Sequence, residues 1–176
     1  KFSGRDVEAM RIDIFDVAYN IIGGGEEGDK TIVHTKEQAD HSLQYMVAVA
    51  ALDGQVLPEQ YKTERILSAD VQSLLRQVTV LPNAEYSRRF PEEHACRLTV
   101  TTKDGRQFEK ETTAYEGFHS RPMPWHMVED KFRHLSAPYA LDSLQRELSD
   151  LVQHLEDAQV SDLTRVLASV GQPKLV

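Results

Sequence analysis

The chain changes its hydrophobic period more than once, and that change limits what it can fold into. Near the N-terminus Met10, Ile12 and Ile14 point one way and Arg11 and Asp13 the other, the period-two pattern of a half-buried strand. Ala95, Arg97, Thr99 and Thr101 alternate with Cys96, Leu98, Val100 and Thr102 in the same way. Lys103-Asp104-Gly105-Arg106 then supplies a hairpin turn, and Gln107 to Tyr115 reads as the return strand. Elsewhere the period is 3.6. Thr35 and Gln38 form a capping box ahead of a helix from Lys36 to about Leu52, which Gly54 stops. Pro58 can open a short helix, and Ser68 heads another with Val71, Leu74, Leu75 and Val78 on one stripe. Trp125 to Leu135 is helical, Leu141, Leu144, Leu148, Leu151, Val152 and Leu155 make a steady stripe, and Asp162 to Val170 continues it. Asp16 to Ile22 fits neither period and stays open between strand and short helix. A strand, helices, a hairpin and again helices imply an α+β fold with segregated helices.

A chain of 176 residues is one domain or one domain with an appendage, and it can bury a core without disulfides. The single cysteine, Cys96, forms no internal disulfide and holds no iron–sulfur cluster; its strand position makes it a core residue, and a reducing compartment is the simplest setting. The longest apolar run, Met46 to Leu52, falls far short of the ~20 residues of a membrane span. A formal charge of −8 argues against a nucleic-acid surface but leaves room for an anionic small molecule held by a few local cations. The chain starts at Lys1 without a signal peptide, as a piece of something longer would.

Several chemistries lack their residue patterns. Gly23-Gly24-Gly25 with Lys30-Thr31 misses the phosphate-loop ending, and Glu26, Glu27 and Asp29 would repel phosphate; a mobile loop is expected. Seven histidines show no metal-binding spacing, so no metal is expected. No serine-nucleophile elbow is present. The stretch from Ala39 to Gly54 stands apart, because its polar half carries groups that titrate. His41 and Tyr45 lie four apart and on one helix share a face, and both can donate or accept a proton. Arg88, Arg89, His119 and Arg121 lie in loop-like segments and are candidate contacts for a carboxylate.

The run Ala39-Asp40-His41-Ser42-Leu43-Gln44-Tyr45-Met46-Val47-Ala48-Val49-Ala50, followed by Leu52-Asp53-Gly54, resembles the signature helix of the MmgE/PrpD family. Glu64-Arg65-Ile66, Val71 to Leu75, the Leu98 to Gly105 hairpin, the loop from Tyr115 to Pro124 and Asp130-Lys131-Phe132-Arg133 extend the likeness over roughly residues 6–168. The family includes 2-methylcitrate dehydratase and cis-aconitate decarboxylase. The resemblance implies an α+β lid domain at 6–123 and a C-terminal helical segment at 124–170 that rejoins a large helical domain outside this chain. It implies a lyase of small di- or tricarboxylates that uses no cofactor, works as a homodimer in its full length, and resides in the cytoplasm or a mitochondrial matrix. It places the active site between the two domains, with Tyr45 matching a tyrosine that lines it and His41 matching the motif histidine. The family's other catalytic residues lie upstream of Lys1, so the chain alone is expected to be catalytically incomplete. On the resemblance, a dehydratase that abstracts a proton α to a carboxylate is the first expectation. A decarboxylase or an epimerase is the alternative, and a non-catalytic interaction module using the Leu141–Leu155 stripe is the competing class.

Overall fold

The computed structural model describes residues 2–171. They form an α+β fold in two compact units divided between Tyr115 and Glu116. The first unit is built on a four-stranded mixed sheet in the order β2-β1-β3-β4. Strand β1 (Val7–Ile14) is central, and Met10, Ile12 and Ile14 bury their side chains as the period-two pattern requires. Strand β2 (Val78–Pro82) lies parallel to it, with Met10 opposite Val78 and Ile12 opposite Val80. Strand β3 (Cys96–Thr102) is antiparallel on the other side, with Ile12 opposite Leu98. The hairpin then returns as β4 (Gln107–Thr112), with Gly105 in the left-handed region at φ 82°.

The parallel strand adds to the antiparallel hairpin that the sequence announces, so the sheet is mixed. Val78 belongs to β2, not to the preceding helical stripe, because that helix ends at Leu75. Between β1 and β2 runs a long crossover. It contains a single turn, α1 (Asp16–Ala18), a π-helix at Tyr19–Gly23, α2 (Lys36–Asp40), α3 (Leu43–Asp53), a 3₁₀ turn at Pro58–Tyr61, α4 (Thr63–Ile66) and α5 (Ala69–Leu75). A short α6 (Ala84–Arg89) connects β2 to β3. Helices α3 and α5 contribute Tyr45, Ala48, Val49, Val71, Leu74 and Leu75 to a single core with Met10, Ile12, Ile14, Val78, Val80 and Val100. Each such aliphatic side chain contributes about 1.5–3 kcal/mol on leaving water.

The expected single helix over 36–52 is two helices. The capping box at its start is present, with Gln38 N–H donating to Thr35 Oγ1 at 3.3 Å and Thr35 N–H to Gln38 Oε1 at 3.2 Å. The break falls at Ser42, whose extended backbone (φ −123°, ψ 107°) makes it the N-cap of α3. Its hydroxyl accepts from Tyr45 N–H at 3.0 Å and donates to the Lys30 carbonyl at 2.6 Å. A residue with such partners gains more by capping than by continuing the turn. Gly54 ends α3 as expected, left-handed at φ 76°.

The second unit holds α7 (Trp125–Ser136), α8 (Asp142–Gln153), a 3₁₀ turn at Leu155–Asp157 and α9 (Val160–Leu167). Leu148 and Val166 are its buried aliphatic residues within these helices. Gln145 Nε2 ties α8 to the Arg133 carbonyl at 3.0 Å, and the Ser149 hydroxyl donates to Glu129 Oε1 at 3.0 Å. Much of the stripe stays open: Leu141, Val152, Leu155, Val160 and Leu167 are exposed. An apolar cleft of about 270 Å³ lies between Trp125, Val128, Phe132, Leu148, Val152 and Leu163. The frayed tail that the sequence suggests over 171–176 falls, from residue 172 on, outside the described residues.

Behind the sheet's apolar face is a charged one. Asp13, only 4% exposed, sits opposite Arg97, which in turn sits opposite Glu111. Arg11 Nη2 reaches Asp13 at 2.7 Å and Arg97 Nη2 at 3.5 Å. The hydrogen bond from Arg11, helped by Arg97, holds the Asp13 carboxyl below the usual carboxylate range against the opposing effect of burial. A lowered folded value gives stability that is present above the unfolded value of about 3.9 and is lost as pH falls through the folded value. The Asp13→Asn variant should therefore unfold at lower denaturant than the parent at neutral pH, and the gap should close on acidification below about pH 4. Chemical denaturation at a series of pH values measures this.

Candidate active-site surface

Where β1 and β2 end side by side, the chain turns into the site. Asn83 N–H donates to the Ile14 carbonyl at 2.8 Å, and Asp16 N–H to Ser87 Oγ at 2.9 Å, so α1 leaves the sheet at a fixed angle. It runs straight into the π-helix, which closes when Gly24 N–H donates to the Tyr19 carbonyl. Such wide turns are rare and concentrate at functional sites. Tyr19 is half-buried, and its hydroxyl makes no hydrogen bond among the described residues. Its ring lies against two glycines. A Cβ on Gly23 would stand 3.1 Å from Cδ2 and one on Gly25 3.0 Å from Cδ1. The glycine run is thus, in part, a seat for an aromatic ring.

The loop beyond carries Glu26, Glu27 and Asp29 on its exposed side, unsuited to phosphate as expected. Hydrogen bonds from Thr31 Oγ1 (2.7 Å) and Thr31 N–H (2.8 Å) hold the Asp29 carboxyl below its usual range. Both ends of the loop are tied to the first turn of α3. Ser42 holds the Lys30 carbonyl, and Gln44 Nε2 donates to the Gly23 carbonyl at 2.6 Å. Gln44 is 5% exposed, and its Oε1 is buried without a partner among the described residues.

Tyr45, expected at the site, faces inward. It is completely buried, its hydroxyl donates to the Gln60 carbonyl, and its ring lies 5.9 Å from that of Tyr61. Burial pushes the phenol up to about 12. Gln60 is itself bound to Asp53 Oδ2 at 3.1 Å, and Arg65 grips the same carboxylate at 2.5 and 2.9 Å. Tyr45 is therefore the anchor of the 57–61 turn. His41 is exposed and does not share a face with Tyr45, because the extended Ser42 separates them. His41 Nδ1 lies 3.0 Å from the Glu37 carbonyl, which can only accept. In the neutral ring this assigns the proton to Nδ1 and leaves Nε2 as a lone-pair acceptor.

The other expected contacts are dispersed. Arg88 and Arg89 stand on α6, not on a loop. Arg88 is exposed and unpaired among the described residues; Arg89 is committed to Glu93, with Glu111 at 3.8 Å and Glu85 at 3.9 Å. His119 and Arg121 belong to the second unit. His119 is exposed with its ring 4.3 Å from Phe118, and Arg121 pairs with Glu116. Among the described residues no three metal-ligating side chains converge. Burial pushes the Cys96 thiol up, consistent with its expected place in the core rather than in chemistry. Sequence reasoning missed Tyr19 and Gln44. The available signal was that 16–22 matched no period, as a π turn does not.

Removing the Tyr45 hydroxyl leaves a buried carbonyl unpaired. Tyr45→Phe should destabilise the protein by about 1–2 kcal/mol, and Ser42→Ala, which loses a cap and a loop tie, by about 2 kcal/mol. Both are read from denaturation midpoints.

The comparisons with known proteins bear on the family of the chain. A family model described as MmgE/PrpD C-terminal domain matches residues 1–157. Cis-aconitate decarboxylase of Mus musculus is 25% identical over 167 residues, covering 94% of this chain and 32% of that protein. Cis-aconitate decarboxylase of Homo sapiens is 27% identical over 143 residues, covering 80% of this chain and 29% of that protein. The chain spans about a third of the length of the curated relatives it matches. With a family model over most of its length, the chain belongs to the MmgE/PrpD family and carries that family's C-terminal domain.

Proposed function

We propose that this chain is the C-terminal part of a lyase that acts on a small di- or tricarboxylate by acid–base chemistry, without a cofactor. Family membership carries the reading. In the 2-methylcitrate dehydratase-like form, a base removes the proton α to a carboxylate, and an acid protonates the β-hydroxyl as it leaves as water. In the second form, favoured by the likeness to the mouse and human cis-aconitate decarboxylases, carbon dioxide leaves and an acid reprotonates the carbanion. Both need a proton donor beside the reacting carbon. On this chain Tyr19 suits that role better than Tyr45: its ring is seated and its hydroxyl is uncommitted, whereas Tyr45 is locked inside. His41, with Nε2 turned to solvent, is a second acid–base group on the same unit. Arg88 is left to meet a carboxylate.

The base and most carboxylate contacts come, on this reading, from the remainder of a longer protein. The open stripe of α8 and α9 is the surface that would rest against it. No described helix is long and apolar enough to cross a membrane.

The test is product analysis by NMR on the full-length protein with 2-methylcitrate and with cis-aconitate. Water loss from the first supports the dehydratase, and carbon dioxide from the second the decarboxylase. Turnover of neither substrate overturns both. Tyr19→Phe should lower kcat by on the order of 10²-fold with KM little changed, while Tyr45→Phe should leave the pH profile of kcat as it was. The reverse order of effects would return the catalytic role to Tyr45.

A further inference from the structure

The most conspicuous polar group that the reaction does not use is the buried amide of Gln44. We infer that Gln44 is a positioning residue that sets the Tyr19 ring through the π-helix, an inference that rests on the proposed role of Tyr19. Gln44 does not touch the ring's hydroxyl. Its Nε2 donates to the Gly23 carbonyl, the last of the π-helix. The final carbonyls of any helix lack partners within it, and a π turn competes with the tighter α turn unless something outside holds it open. One residue on, Gly24 at φ 104° returns its N–H to the Tyr19 carbonyl. Two hydrogen bonds and one glycine thus connect the Gln44 amide to the backbone of Tyr19.

Gly25 N–H also donates to the Tyr19 carbonyl at 3.1 Å and Glu27 N–H to the Asn20 carbonyl at 3.3 Å, so Gln44 is the side-chain member of the set that holds the turn. A Cβ on Gly23 would stand 3.0 Å from Val80 Cγ1, so the turn already rests on β2. The ring, with Val80 beside Gly23 and Asn20 beside Gly25, borders the space that side chains at 23 and 25 would need. Gln44 is 5% exposed and starts a helix whose cap, Ser42, holds the far end of the loop at Lys30. With the Nε2 bond gone, the π turn can relax toward α geometry, which rotates the residues after Ala18 about the helix axis and moves Tyr19 off its seat. The unpartnered Oε1 makes no compensating bond in the protein, so the amide's work here is donation.

The experiment uses the full-length protein with Gln44→Met, Gln44→Glu and Tyr19→Phe, alone and combined. Gln44→Met should lower kcat by on the order of tenfold, less than the 10²-fold that a misplacement of about 1 Å can cost, with KM little changed. In the Tyr19→Phe background the same change should cost less than about twofold, because it acts through a hydroxyl already removed. Gln44→Glu keeps the shape, but its carboxyl donates only when protonated. Its kcat should approach the parent's at low pH and fall as pH rises through that carboxyl's pKa, an ionisation the parent lacks. This rescue separates positioning from failure to fold. Additive losses in the double variant, or no acid rescue in Gln44→Glu, overturn the inference. Fluorotyrosine at position 19, followed by ¹⁹F NMR, separates it from the functional reading. An unmoved resonance in Gln44→Met overturns the positioning. A moved resonance, with Tyr19→Phe leaving kcat unchanged, upholds the positioning and overturns the catalytic role of Tyr19.

Discussion

The hydroxyl of Ser42 is the contact on which the first unit turns. By taking the Tyr45 amide and giving its proton to the Lys30 carbonyl, it ends one helix, starts the next and moors the far end of the glycine loop. Because it is fully buried, neither bond competes with water, and losing either leaves a polar group stranded. Everything nearby follows from the new helix axis. Tyr45, Ala48 and Val49 are directed into the core, Gln44 is brought under the π turn, and His41 is left outside on the end of the shorter helix.

That arrangement explains why one motif serves two ends. The polar residues of 41–45 read together as a reactive cluster, yet each is engaged with a backbone carbonyl: His41 with Glu37, Ser42 with Lys30, Gln44 with Gly23 and Tyr45 with Gln60. A buried carbonyl needs a donor, and side chains from the first turn of α3 supply one to each of three separate segments. The motif is in this sense a junction. On the proposed reading the proton donor is instead Tyr19, which comes from a different part of the sequence.

The strands, the hairpin turn and the amphipathic helices were legible because each rests on local periodicity and local turn chemistry. Met10, Ile12 and Ile14 declare their face, and Lys103 to Arg106 declare the reversal. What was not legible depended on distant partners. Ser42 breaks its helix for the sake of Lys30, twelve residues away. Val78 extends the helical stripe by spacing alone, and only the presence of β1 beside it makes it a strand residue. Four-residue spacing put His41 and Tyr45 on one face only while the helix was assumed unbroken. The use of the glycine run as a ring seat required knowing that Tyr19 folds back on it.

The position of β1 has a consequence for how this unit assembles. The first strand in the chain is an inner strand of the sheet, and both of its partners arrive late: Met10 pairs with Val78 and with Val100. Only β3 and β4 pair across a short turn. Non-local pairings of this kind slow folding, since a long loop must close before any contact rewards it. During synthesis β1 emerges with an apolar face that α3 and α5 reach only later, and its edge toward β3 stays unpaired until residues 96–102 have followed. Arg11 and Asp13 on its other face keep that waiting strand charged, a feature that discourages it from pairing with another chain in the meantime.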